Sequence, residues 1–186
     1  MKRKLLCIVA ALATATLSCS IFVGGPQYPT EVVPVSTDAV QSLEDQAQQA
    51  ATSGAQSGVI TLQITESQLT SYLSQKLAEQ TDPLITDPQV FLRDGLITVY
   101  GKATSGVLTA NVSFVVQASV DQDGQPKIEV IQSDFGPLPA PQGLNDGLSA
   151  FVQEAFAGSL GPMAVGFRLE QITVSDGVMT VTGRVK

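Results

Sequence analysis

The chain has 186 residues, with ten basic against 17 acidic side chains and a formal net charge of −7. That acidic excess argues against a nucleic-acid partner. Histidine is absent, which excludes Ser-His and Cys-His nucleophile pairs and histidine-ligated metal sites.

Lys2, Arg3 and Lys4 precede Leu5 to Leu17, an apolar stretch without a charge, and small residues then lead to Ser18-Cys19. A basic head, a short apolar run and small residues are the layout of a secretory signal. The run is shorter than the roughly 20 residues that span hydrocarbon. Ile21, Phe22 and Val23 extend it, so an uncleaved N-terminal transmembrane helix is the alternative. Thr16-Leu17-Ser18-Cys19 resembles a bacterial lipobox, although the usual order places leucine one residue earlier. On that likeness residues 1–18 are a lipoprotein signal peptide and Cys19 is the lipidation site. The protein is then extracytoplasmic, held on the bacterial cell membrane by lipid on Cys19. Simple cleavage after Ala13-Thr14-Ala15 is the competing reading. Cys7 lies inside the apolar run, so a chain starting at Cys19 forms no intramolecular disulfide and must rest on core packing. Without the three leading basic residues, seven remain against 17 acidic ones, a net charge of −10 that disfavours electrostatic docking on anionic headgroups.

Residues 19–58 read as a flexible tether. Pro26, Pro29 and Pro34 punctuate it, and Gln, Ala, Ser, Thr and Gly dominate Val40 to Gly58. Gln41 to Ala51 has helical potential, but its apolar stripe is too thin to bury much. The folded domain is expected over residues 59–186.

Thr65 and Gln68 make a capping box, with Ile64 and Leu69 placed for a hydrophobic staple. Leu69, Tyr72, Leu73 and Leu77 recur at helical spacing from Glu66 to about Glu79, leaving Ser67, Thr70, Ser71, Ser74 and Gln75 on the other face. A β-meander follows. Gln89 to Arg93 turns at Asp94-Gly95, Leu96 to Ala103 returns, and Ser105-Gly106 turns again. Leu108, Ala110, Val112, Phe114, Val116, Ala118 and Val120 then alternate with a polar face broken only by Val115. At ~3.3 Å per residue this strand is over about 40 Å long. Asp121 to Gly124 turns it into Lys127 to Phe135. After a proline-rich connector, Leu144, Leu148, Phe151, Val152, Ala155, Phe156 and Leu160 mark a second amphipathic helix, and Phe167 to Val174 and Val178 to Val185 close a hairpin at Asp176-Gly177. The expected class is α+β, a long antiparallel sheet with amphipathic helices on one face.

The phrases "ITESQLTSYLSQKL", "PQVFLRDGLITVYGKAT", "LPAPQGLNDGLSAFVQEAF" and "RLEQITVSDGVMTVTGRV" resemble the YpmS-like and LmeA-like bacterial proteins. Those are membrane-attached and extracytoplasmic, and look like simple members of the TULIP (tubular lipid-binding) superfamily. The resemblance covers about residues 59–186 and implies a strongly curved sheet wrapped around a helix, with a lipid-sized groove between them. The matching phrases are helix and hairpin patterns, so no site residue follows from them.

Candidate chemistry is sparse. Ser74 and Lys76 stand two apart on a helix and do not face each other. Asp121-Gln-Asp123-Gly124 starts like a calcium loop but lacks the closing acidic residue, since Gln132 occupies that place. It reads as a hairpin turn. Asn111-Val-Ser113 matches a glycosylation acceptor in the middle of a strand, which is incidental behind a bacterial-type signal. We therefore expect no enzyme, no cofactor and no metal. The apolar stripes remain, with Leu73, Leu77, Val112, Phe114, Val116, Phe151 and Phe156 as the expected lining of a groove for a lipid or other hydrophobic small molecule. The competing expectation is a structural or protein-interaction module of the cell envelope, its partner unidentified, with a filled core.

Overall fold

A computed structural model describes residues 20–139 and 167–185. Cys19, the signal segment and the second amphipathic helix with Phe151 and Phe156 lie outside the described residues.

Residues 20–58, expected as a flexible tether, carry a short strand and a helix, and Val33, Val40, Leu43 and Ala47 among them are buried in the domain. β1 (Ile21–Phe22) pairs in parallel with the start of a long strand. α1 (Thr37–Ser57) is capped by the Ser36 side chain, which accepts from the amides of Asp38 and Ala39, and ends on Gly58 in the left-handed region. Its stripe is thin, as composition indicated, yet Val40, Leu43 and Ala47 are buried and Leu43 is fully enclosed. Small residues make this work. At Gly54 a Cβ would lie 2.8 Å from the Phe167 ring, so the helix sits closer to the sheet than a larger residue would permit.

β2 (Val59–Thr65), with no counterpart in the expected elements, leads directly into α2 (Glu66–Ala78). The capping box forms as its sequence indicates, Thr65 and Gln68 each serving the other's backbone amide. The second face of α2 departs from expectation. Thr70 and Ser71 are buried at 0% and 1% exposure, and Gln68 is buried beside them. Each has a partner there. Thr70 Oγ1 accepts from Val90 N at 3.0 Å, Ser71 Oγ accepts from Ser36 N at 3.0 Å, and Gln68 Nε2 donates to Ser42 Oγ at 3.3 Å. The helix thus has two covered faces, because α1 and the segment before it lie on the polar one.

The strands divide into two sheets rather than one. β3 (Thr86–Arg93), β4 (Leu96–Ser105), β5 (Leu108–Val120) and β6 (Pro126–Asp134) form an antiparallel meander that takes β1 on the β5 edge. β2, β8 (Val178–Val185) and β7 (Phe167–Ser175) form the second, in that order. The strands curl strongly into a half-barrel. Asp94-Gly95 and Asp176-Gly177 adopt positive φ at both residues, the conformation a two-residue hairpin demands. These two turns interlock: Gly95 N donates to Val174 O, and Gly177 N to Leu92 O. One continuous core joins both sheets and includes Ala110, Val112, Phe114 and Val116 of β5 with Leu169, Val174, Met179 and Val181 of β7 and β8.

Candidate functional site

Of the expected groove lining, the structure describes Leu73, Leu77, Val112, Phe114 and Val116. Val112, Phe114 and Val116 are 0–1% exposed in the closed core. Phe114 meets Phe135 edge-on, the ring centroids 5.3 Å apart. Leu73 is partly buried against that core. Among the described residues of that lining, Leu77 alone borders the site described next. Burial alone serves a filled core and a groove equally.

Among the described residues, a cleft of about 520 Å³ opens at the C-terminal end of α2. One wall is the strap Tyr28 to Val35, the other is the irregular start of β3 with Lys102 of β4. Leu77 and Ile85 form its apolar base, at 4% and 3% exposure, while Val32 and Val35 stand open at the mouth at 69% and 56%.

The strap is extended because prolines at 26, 29 and 34 deny it a helix, and it borrows hydrogen bonds from side chains instead. Gln89, itself buried, holds Val33 at two points: Val33 N donates to Oε1 at 2.6 Å, and Nε2 donates back to Val33 O at 3.4 Å. Ser67 Oγ donates to Pro34 O at 3.0 Å. The Tyr28 hydroxyl donates to the Asp87 carbonyl. Val33 therefore turns inward and its neighbours Val32 and Val35 outward.

The opposite wall is strained. The β3–β4 register shifts between Thr86 and Gln89, and Asp87 sits at φ 50° directly before Pro88. A non-glycine residue there costs of order 1–3 kcal/mol, and bulges with such strain cluster at functional sites. The bulge aims the Asp87 carboxylate at Lys102 Nζ, 2.8 Å away, and the same ammonium lies 6.0 Å from the Tyr28 ring centroid. Burial first, and the Asp87 charge second, raise the Tyr28 phenol above its ordinary pKa. The rim is thus polar and charged, the floor apolar.

Sequence reading missed the strap, Asp87 and Lys102. Asp87-Pro88 had been legible only as a helix stop, and the prolines as linker. The Asp121 loop is a hairpin turn as expected: its Oδ1 accepts from Asp123 N at 2.9 Å and Gln125 N at 2.8 Å. Among the described residues no three His, Cys, Asp or Glu side chains are grouped to hold a metal, and no helix is long and apolar enough to cross a membrane. No family model matches the chain, and neither a curated protein nor a solved structure is similar to it.

Proposed function

We propose that the protein is a non-catalytic extracytoplasmic lipoprotein, tethered through Cys19, that holds an apolar or amphiphilic molecule in the cleft beside α2. The observation that carries this reading is the pairing of an apolar floor, Leu77 and Ile85, with a charged rim, Lys102 and Asp87. Its volume falls within the ~300–1,000 Å³ of small-molecule sites. An acyl tail would lie along Val32, Val35 and Leu77, with its polar head at Tyr28 and Lys102. The TULIP-like resemblance supports a lipid as the guest, with the site displaced from the sheet interior to the cleft.

A second reading, an envelope interaction module with a filled core, is favoured by the enclosure of Val112, Phe114 and Val116 and by the apolar side chains left exposed elsewhere. One experiment separates them. Delipidated protein is titrated with a fluorescent fatty acid or phospholipid, alongside Ala78→Phe and Val116→Phe. Ala78 is exposed on the cleft wall, so its enlargement should abolish uptake and leave the melting temperature unchanged. Val116→Phe should destabilise by ~1–3 kcal/mol through overpacking. No uptake by the wild type defeats the binding reading. Uptake lost only in a stable Val116→Phe would put the guest back inside the sheet. For the anchor, Cys19→Ala should abolish metabolic labelling by palmitate.

A further inference from the structure

Four apolar residues from two distant stretches meet at one end of the larger sheet. Ile21, Phe22 and Val107 are 56%, 59% and 61% exposed, and Leu108 is 37% exposed. β1 brings them together: Ile21 is in register with Leu108, Ile21 N donates to Val107 O at 2.7 Å, and Val23 N donates to Thr109 O at 2.9 Å. The arrangement is locked. Asn111 N donates to Gly24 O at 2.9 Å, and a Cβ on Gly25 would strike the Asn111 carbonyl at 2.2 Å. β6 releases the β5 edge at Ser113, and the chain from Ile21 to Gly24 takes it over from there.

The tip is also uncharged. Residues 20–30 and 103–111 contain no Asp, Glu, Lys or Arg, in a chain whose net charge is −7. Exposed apolar patches mark interaction sites, and two observations name the partner here. First, the patch starts two residues after Cys19, where the apolar stretch Leu5 to Leu17 has just ended. Second, an acidic body is repelled by anionic lipid headgroups, and a charge-free apolar tip escapes that repulsion.

We propose that this tip, Ile21, Phe22, Val107 and Leu108, inserts into the interfacial layer of the bilayer that carries the chain. It acts as a second contact beside the anchor and fixes how the domain stands on the membrane. A lipid chain alone leaves a domain free to swing; apolar side chains in the headgroup boundary add orientation. This rests on the reading of Cys19 as the tether. The insertion is apolar, so it should not weaken with salt, unlike a basic-patch contact.

The test uses the full lipidated chain in phosphatidylcholine vesicles, with a polarity-sensitive dye on Val107→Cys or on Gln122→Cys. Gln122 lies just past the far end of β5, about 50 Å along the strand at ~3.3 Å per residue. The dye at 107 should shift to the blue and lose emission several-fold when the lipid chains are brominated, in low and high salt alike. The dye at 122 should do neither. Co-flotation with vesicles but a water-like dye at 107 overturns the tip and leaves the tether standing. A shielded dye that brominated lipid cannot quench means a second copy covers the patch, which also overturns it. Failure to co-float removes the tether, and the tip proposal falls with it.

Discussion

β5 carries one apolar face along its length, but its two halves have different fates. From Ala110 to Val116 the inward side chains are 0–1% exposed, and Phe114 meets Phe135 edge-on. At its start, Leu108 and the preceding Val107 look out to solvent beside Ile21 and Phe22. The strand geometry is the same throughout, so alternation tells which side chains share a face and not whether anything covers that face. Cover is a tertiary property. It comes from segments far away in sequence, such as β7, which packs on β5, while the tip of β5 stays exposed.

The sharpest way to break this comparison is to truncate a side chain in each half. Phe114→Ala should cost ~3–5 kcal/mol, since it empties an enclosed site that also holds an edge-on contact with Phe135. Val107→Ala should stay within about 0.5 kcal/mol. Chemical denaturation of both reads the difference directly. Similar losses would mean that the tip is covered in solution, or that the middle is not closed.

A second substitution extends the comparison to α1. Leu43→Ala should cost ~2–5 kcal/mol, as for any fully enclosed leucine. A tether would register nothing. This separates a helix integral to the domain from one that merely lies beside it, and a loss under about 0.5 kcal/mol would restore the tether reading.

Much of the larger sheet was legible in the residues. The capping box at Thr65, the Asp-Gly turns and the period-two face of β5 are local chemistry, and each appears where its spacing puts it. What was not legible was cover and partnership. α1 has few large apolar residues, yet it buries Leu43 and Ala47, and Gly54 lets its C-terminal end lie close to Phe167 and Ile60. β2 alternates, but its reading as a strand depends on a partner over a hundred residues later, Val178–Val185. Thr70 and Ser71 read as a solvent face because nothing local announces that Val90 N and Ser36 N will use them. The cleft was missed for the same reason. Its strap looks like linker until Gln89 clamps it, and only Leu77 among its lining belongs to an amphipathic stripe. Phe151 and Phe156 lie outside the described residues, and the structure does not bear on their expected place in a groove.

The smallest effect concerns the strap, and it reports on the cleft without a ligand. Burial and the Asp87 carboxylate both disfavour the Tyr28 phenolate, so its pKa in the folded protein lies above the ordinary tyrosine value, about 10. Below that value both states hold the proton and stability is unaffected. Between the ordinary value and the raised one, the unfolded chain has released a proton that the folded chain retains. Unfolding therefore becomes easier as pH rises through that window. Tyr28→Phe should remove this alkaline fall and delete one late-titrating share of tyrosinate absorbance. Titration of Tyr28 at the ordinary value would place the strap away from the Asp87 bulge and leave the cleft without one wall. A guest seated against Tyr28 covers the phenol further, so an amphiphile that binds the cleft should move its titration higher still, while one that binds elsewhere should leave it unmoved.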